Sequence, residues 1–336
     1  MTTGLVKPRP GRVRLAASLA ALVAVVLVLG GGAYLLGIGP WQSRFVEYPM
    51  PESLAMPVAI AAAPDGTIWF TMDLAKAMGR VRNGRLERLP TADGNVEPVG
   101  LGAAADGSAW YTNNGARGIS HMSPQGEIAS FPLDTPIVRL GRLTVAPDGA
   151  VWFAEGTGYS ITRLKDGAIT RHVFESPRGD PYGVAVAPDG VVWATLRSGD
   201  QLLRIAPEGD DMKVVDVPRQ SAVPTDIAVG KDGAIWFIES RDSRIARFKD
   251  GKFDEFPVPG DNPLLSGLVV TPDDAVWFGM LRTGSLGRLR DGRIETFKLP
   301  REGARPYTLA ADRDGNVWYA DITGTVGMLQ ARYARK

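Results

Sequence analysis

Eight side chains in this sequence have types and positions that could do chemistry. Glu155, Glu239, Asp321 and Asn113 each stand three residues after a tryptophan. Tyr182 and Tyr307 each stand seven residues before the Asp of a turn. Arg142 and Asp226 take the next position along in other copies of that pattern. Carboxylates converging with an amide or with backbone carbonyls can hold Mg²⁺ or Ca²⁺, which take oxygen ligands. Glu155 and Glu239 are the candidate metal ligands. One carboxylate with a raised pKa could instead be a general base. Tyr182, Tyr307, Arg142, Asp226, Asn113 and Asp321 are the candidate ligand-binding residues of a pocket. A plainer reading stands beside these: solvated channel residues paired with Arg142, Arg197 and Arg282. Each placement depends on strand register, because a slip of one residue turns a side chain to the other face.

The elements that must position these residues come from a repeat. Seven of the eight tryptophans, Trp69, Trp110, Trp152, Trp193, Trp236, Trp277 and Trp318, follow one another at intervals of 41 to 43 residues. Asp-Gly begins four residues before six of them, and Asp273-Asp274 takes that place before Trp277. Eleven residues after the tryptophan come Arg80, His121, Arg163, Arg204, Arg247 and Arg288. A turn such as NG or DG follows, then a short segment such as RLERLP or KFDEFP. Each unit reads as four short strands, and a period in the low forties with four strands marks a β-propeller blade. The fold class is therefore all-β, one seven-bladed propeller over about 42–333. The seventh unit lacks its fourth strand, and Phe45–Pro49 matches that strand's pattern. The N-terminal strand should complete the last blade and leave no open edge.

In a propeller, the loops entering the first strand and leaving the second share one rim. The column at the first-strand mouth reads Val58, Val99, Gly141, Tyr182, Thr225, Ser266 and Tyr307. The next reads Ala59, Gly100, Arg142, Gly183, Asp226, Gly267 and Thr308. The column after the second strand reads Met72, Asn113, Glu155, Leu196, Glu239, Met280 and Asp321. These three columns are expected to meet near the axis. The tryptophans pack between blades, and the recurring arginines lie on a neighbour and pair locally. Of the two histidines, His121 sits in the arginine column and reads as structural, and His172 reads as a surface residue.

Composition fits a folded domain: 44% hydrophobic and 22% charged residues, with 40 glycines and 25 prolines for many turns. There is no cysteine, so disulfides and thiolate metal sites are excluded. Residues 1–14 are basic, with Lys7, Arg9, Arg12 and Arg14, and 15–39 carry no charge. That stretch exceeds the roughly 20 residues that span a bilayer. It reads as a transmembrane signal-anchor, or as a signal peptide cleaved near Gly31-Gly32-Ala33. The basic flank stays cytoplasmic and sends the propeller outward, either held on the cytoplasmic membrane or released to the periplasm or medium. The remaining 34 basic and 37 acidic residues are nearly balanced, which argues against nucleic-acid binding. The partners expected are a small molecule, glycan or envelope protein at the rim, and the membrane through the N-terminal helix.

PYGVAVAPDGVVWATL at 181–196, with DGAIWFIE and RIARFKDGKFDEFPVP further on, resembles the streptogramin B lyase (virginiamycin B lyase) family across all seven repeats. The resemblance implies a seven-bladed propeller that opens a cyclic depsipeptide lactone by Mg²⁺-assisted elimination. It implies a Glu-Pro-His at the mouth of the last blade, a further Glu after that blade's second strand, and a Pro-His in the preceding blade. This sequence has Arg305-Pro306-Tyr307, Ile322 and Ser266 at those places. The nearest Glu-Pro, Glu97-Pro98, is followed by Val99 in the second blade. The expectation is a lyase-like propeller that binds a ligand without the lyase chemistry. The alternative is a metal-dependent lyase or lactone hydrolase using the rim carboxylates.

Overall fold

β-branched and aromatic residues flanking each tryptophan favour extended backbone, and the turns between them are made by specific side chains. The Asp of the Asp-Gly turn folds back on its own backbone. Asp65 Oδ1 accepts from the Thr67 N–H at 2.9 Å, and Asp148 and Asp232 accept from Ala150 and Ala234 in the same way. Gly66 sits at φ +87°, where a side chain would be strained. In the sixth copy the turn is made by Asp274 at φ +64°, a residue that tolerates the left-handed region better than most.

The computed structural model describes residues 44–334 apart from 52–54, 74, 76, 92–97, 135–138, 157–158, 175–178, 208 and 210. Phe45–Lys336 is one compact unit. Its described strands form seven four-stranded antiparallel sheets, the blades of a β-propeller. Within each blade the strands lie in order from the first, beside the axis, to the fourth at the outside, and first strands of successive blades touch. Phe45–Pro49 pairs antiparallel with Thr325–Leu329 and completes the last blade, as the sequence predicts. Tyr319 Oη donates to Glu47 Oε1 at 2.8 Å across that closure. The predicted helix over 15–39 lies outside the described residues. Among the described residues no helix is long and apolar enough to cross a membrane.

The blades are radial, so most strand side chains face a neighbouring blade. Trp69 is fully buried and its Nε1 donates to Gly107 O of the next blade at 3.0 Å. Phe70, one residue on, points to the other side and packs with Ala310 and Trp318 of the last blade. The recurring arginines lie over their own tryptophans: Arg80 over Trp69 at 5.4 Å, Arg163 over Trp152 at 5.8 Å, Arg247 over Trp236 at 5.7 Å. His121 packs on Trp110 in the same column, and His172 stacks on Trp152.

Candidate functional site

A repeated irregularity aims the first-strand columns at the axis. In six blades the pairing of first and second strands slips at the mouth, for example between Leu140 and Leu143, Pro181 and Val184, and Pro224 and Ile227. A bulge of this kind bends the strand and re-aims its side chains. The skipped residues include Gly141-Arg142, Tyr182-Gly183 and Thr225-Asp226. A threonine two residues after the tryptophan supports the bulge. Thr195 Oγ1 accepts from Gly183 N at 2.9 Å and donates to Thr225 O of the next blade at 2.5 Å. Thr71 does the same between Ala59 N and Pro98 O.

The bulges bring Arg142, Asp226, Tyr182 and Tyr307 together from four blades. Arg142 is 9% exposed. Its Nε donates to Asp226 Oδ1 at 3.1 Å and its Nη1 to Val99 O at 2.7 Å. Asp226 Oδ2 accepts from Leu268 N at 3.0 Å, so both carboxylate oxygens are used. The guanidinium lies 5.4 Å from the Tyr182 ring centre and 5.5 Å from that of Tyr307. Burial works against the charge of Arg142, but Asp226 and the two tyrosines together raise its pKa above the ordinary value. The cluster ties second, third, fourth, fifth, sixth and seventh blades across the channel, whose wall below it includes Ala59, Arg142, Asp226 and Thr308.

Above this knot lies a cavity of about 350 Å³, bounded by Val58, Val99, Gly141, Tyr182 and Tyr307 of the first column. The phenol oxygens of Tyr182 and Tyr307 lie 3.5 Å apart. Burial raises the Tyr182 pKa, with the Arg142 charge pulling the other way and Tyr307 adding to the rise. The phenol is therefore neutral at physiological pH, a donor and not a base. Arg197 stacks 4.5 Å from the Tyr182 ring centre, with Nε and Nη2 both donating to Asp180 Oδ2 at 3.0 and 2.6 Å. Asp73, Asn114, Arg139 and Ile322 complete the mouth. Asn114 Oδ1 accepts from Leu140 N at 2.9 Å.

The third column does not reach the rim. Asn113, Glu155, Glu239 and Asp321 are 0 to 3% exposed, buried at the ends of second strands. Asn113 Oδ1 accepts from Ala116 N at 3.1 Å. Asp321 Oδ1 accepts from the N–H groups of Thr323 and Arg305 at 2.9 Å each, and its other oxygen meets Arg301. Glu155 is held by the Thr162 hydroxyl and by Arg171 Nε at 3.1 Å. Glu239 lies in another blade, 3.8 Å from Arg219. The expected convergence fails by one residue. It is the fourth residue after the tryptophan, in Asp73, Asn114, Gly156, Arg197 and Ile322, that lines the mouth. The strand's pleat sends the third residue to the same side as the Phe that follows the tryptophan, into the cleft between blades. Asp180, Arg139 and Asn114 were not among the candidates, and Arg197 was named only as a pairing arginine of the channel. The available signal was their position just beyond each strand end.

A sequence model described as the virginiamycin B lyase family matches residues 38–205 and 195–333. The chain belongs to the virginiamycin B lyase family. It is 32% identical over 220 residues to virginiamycin B lyase of Nocardia farcinica, covering 62% of this chain and 75% of that protein. A streptogramin B lyase structure superposes with a TM-score of 0.80 at 26% identity, over 84% of this chain and 96% of that one. A catalytically inactive histidine-to-alanine variant of virginiamycin B lyase from Staphylococcus aureus, with quinupristin, gives a TM-score of 0.79 at 24% identity. It covers 85% of this chain and 98% of that one, and shares the fold.

The Mg²⁺ implied by the resemblance to virginiamycin B lyases needs a set of oxygen donors, usually with carboxylates among them. At the corresponding places this family member has Arg305, Tyr307, Ser266 and Ile322. Ser266 Oγ is spent on Pro306 O at 2.6 Å, and neighbouring Asp321 on Arg301 and its own turn. Asp180 is neutralised by Arg197. Among the described residues no group of three or more His, Cys, Asp or Glu side chains is placed to hold a metal. This donor set does not fit the cation. Glu155 and Glu239, each paired with an arginine near its own blade, do not come together to replace it. Both histidines of the chain are packed on tryptophans away from the cavity.

Proposed function

We propose that this protein is a binding member of the virginiamycin B lyase family, taking a small molecule in the mouth cavity without eliminating or hydrolysing it. The single observation that carries this reading is the Tyr182–Tyr307 pair over the buried Arg142–Asp226 ion pair. Tyr307 of that pair takes the place where the resemblance implies a histidine, and its neighbour Tyr182 stays protonated. The groups offered are fixed donors and apolar walls, the make-up of a binding pocket. The uncharged stretch at 15–39 supports a propeller held on the outer face of the cytoplasmic membrane. A small ligand is preferred over a glycan or an envelope protein because the cavity sits near the lower end of the usual 300–1,000 Å³ range for ligand sites.

The test pairs two measurements on the full chain in detergent. The first is incubation with quinupristin, followed by mass spectrometry for the ring-opened product. The second is a fragment screen by ligand-observed NMR, repeated on Tyr182→Ala/Tyr307→Ala. No ring opening, with fragment signals that the double variant loses, is the expected result. Ring opening, or fragment signals indifferent to the tyrosines, sinks the reading. A melting curve of the double variant separates loss of the cavity from loss of the fold.

A further inference from the structure

We propose that the mouth cavity takes its ligand as a carboxylate, bound by the Tyr307 hydroxyl and the guanidinium group of Arg197. This rests on the binding reading above and names the chemistry of the ligand. The two phenol oxygens are 3.5 Å apart, and one hydrogen shared between them serves both. Either phenol can donate across that gap; with Tyr182 as the donor, the Tyr307 hydrogen is left for an acceptor in the cavity. Arg197 at 4.5 Å and Arg142 at 5.4 Å both lie against the Tyr182 ring, and Arg142 lies 5.5 Å from the Tyr307 ring centre. That arrangement does not suit the aromatic stacking by which sugars are commonly held, and it leaves hydrogen-bond donors as the means of recognition.

Arg197 spends Nε and Nη2 on one oxygen of Asp180, so Nη1 remains among its donors for a second acceptor. Charged donors to a carboxylate make hydrogen bonds roughly twice as strong as neutral ones. Glycine fits at 156 beside this pair, since a Cβ there would stand 3.1 Å from Asp180 Oδ1 and 3.3 Å from Arg139 O. Val58, Val99 and Leu140 of the cavity lining give the hydrocarbon part of the ligand an apolar surface. Beneath the phenols, the guanidinium of Arg142 lies 5.5 Å from the Tyr307 ring centre, with Asp226 as its counter-ion.

The probes are benzoate and hexanoate, with benzamide and hexylamine as neutral and cationic counterparts. Each is titrated into the full chain at pH 7 by calorimetry and NMR. Both carboxylates are expected to bind at least about tenfold more tightly than their counterparts. Tyr307→Phe, which keeps the ring over Arg142, is expected to weaken them about ten- to a hundredfold, the size of one hydrogen bond to a charged group. Arg197→Gln should do the same. Equal or better binding of the amide or amine overturns the carboxylate assignment and leaves the binding cavity standing. Unchanged benzoate binding by a folded Tyr307→Phe also overturns it. If none of the four binds, the assignment falls, and the fragment screen decides separately whether the cavity reading falls with it.

Discussion

Glu155 and Glu239 occupy the same position in the third and fifth blades, and their surroundings make them different chemical objects. Both are buried three residues after a tryptophan. Beside Glu155 the third strand supplies Thr162, and the fourth supplies Arg171 opposite Thr162. Both donate to its carboxylate. In the fifth blade the same two places hold Ala246 and Glu255. The hydroxyl is lost and the arginine is replaced by a like charge. Neither oxygen of Glu239 has a hydrogen-bond partner. Burial first, and Glu255 second, push its pKa up to about 7, while Arg219 and Arg244 pull it down. A carboxylate at this point of the fold is an anchor or a proton carrier according to two neighbours.

The largest expected effect separates the two directly. Glu155→Met should cost about 3 kcal/mol at pH 7, because it leaves Thr162 and Arg171 without their buried acceptor. Glu239→Met should be neutral or stabilising at pH 8, since methionine already fills this position at Met72 and Met280. Urea titrations of both variants would check this, and shifts of the same sign would end the comparison.

The next effect is a pH dependence. The folded chain holds a proton on Glu239 that the unfolded chain, with an ordinary value of 4.5, gives up earlier. Stability from this group is therefore complete below about pH 4.5 and is lost as pH rises through about 7. The expected loss is at most about 3 kcal/mol. The urea midpoint should fall between pH 5 and 8, and Glu239→Met should flatten that fall. A slope that persists in the variant assigns it to another group. The smallest effect is a graft: Ala246→Thr gives Glu239 the hydroxyl that Glu155 enjoys. It should recover about 1 kcal/mol at pH 8 and move the slope to lower pH.

The blades, the turn chemistry and the closing strand were legible in the sequence because they repeat. Trp69 and its counterparts fix the period, Asp-Gly fixes the turn, and Phe45–Pro49 matches the strand missing from the end. The first-strand columns were legible for the same reason, and Arg142 does meet Asp226 and the two tyrosines. The acids after the tryptophan were misplaced because the rim begins one residue later than the strand's pleat suggests. Asn113 and Asn114 make the point, with the first turned into its own loop and the second at the cavity mouth. Register at strand ends depends on bulges and loop paths, which leave little local mark. The difference between Glu155 and Glu239 was also hidden, since it lies in strands that follow 7 to 16 residues later.

The closing strand has a consequence in time. On the ribosome Phe45–Pro49 emerges first among the propeller strands, and its partner Thr325–Leu329 roughly 280 residues later. At about 5–20 residues per second, the early strand waits for roughly 15–55 s. During that interval Tyr319 and Trp318, the rings against which Phe45 and Tyr48 later pack, are not yet made. The ring is therefore assembled in chain order but locked only by its oldest and newest segments together, so a nascent chain stalled before Thr325 is an open arc with two unsatisfied sheet edges.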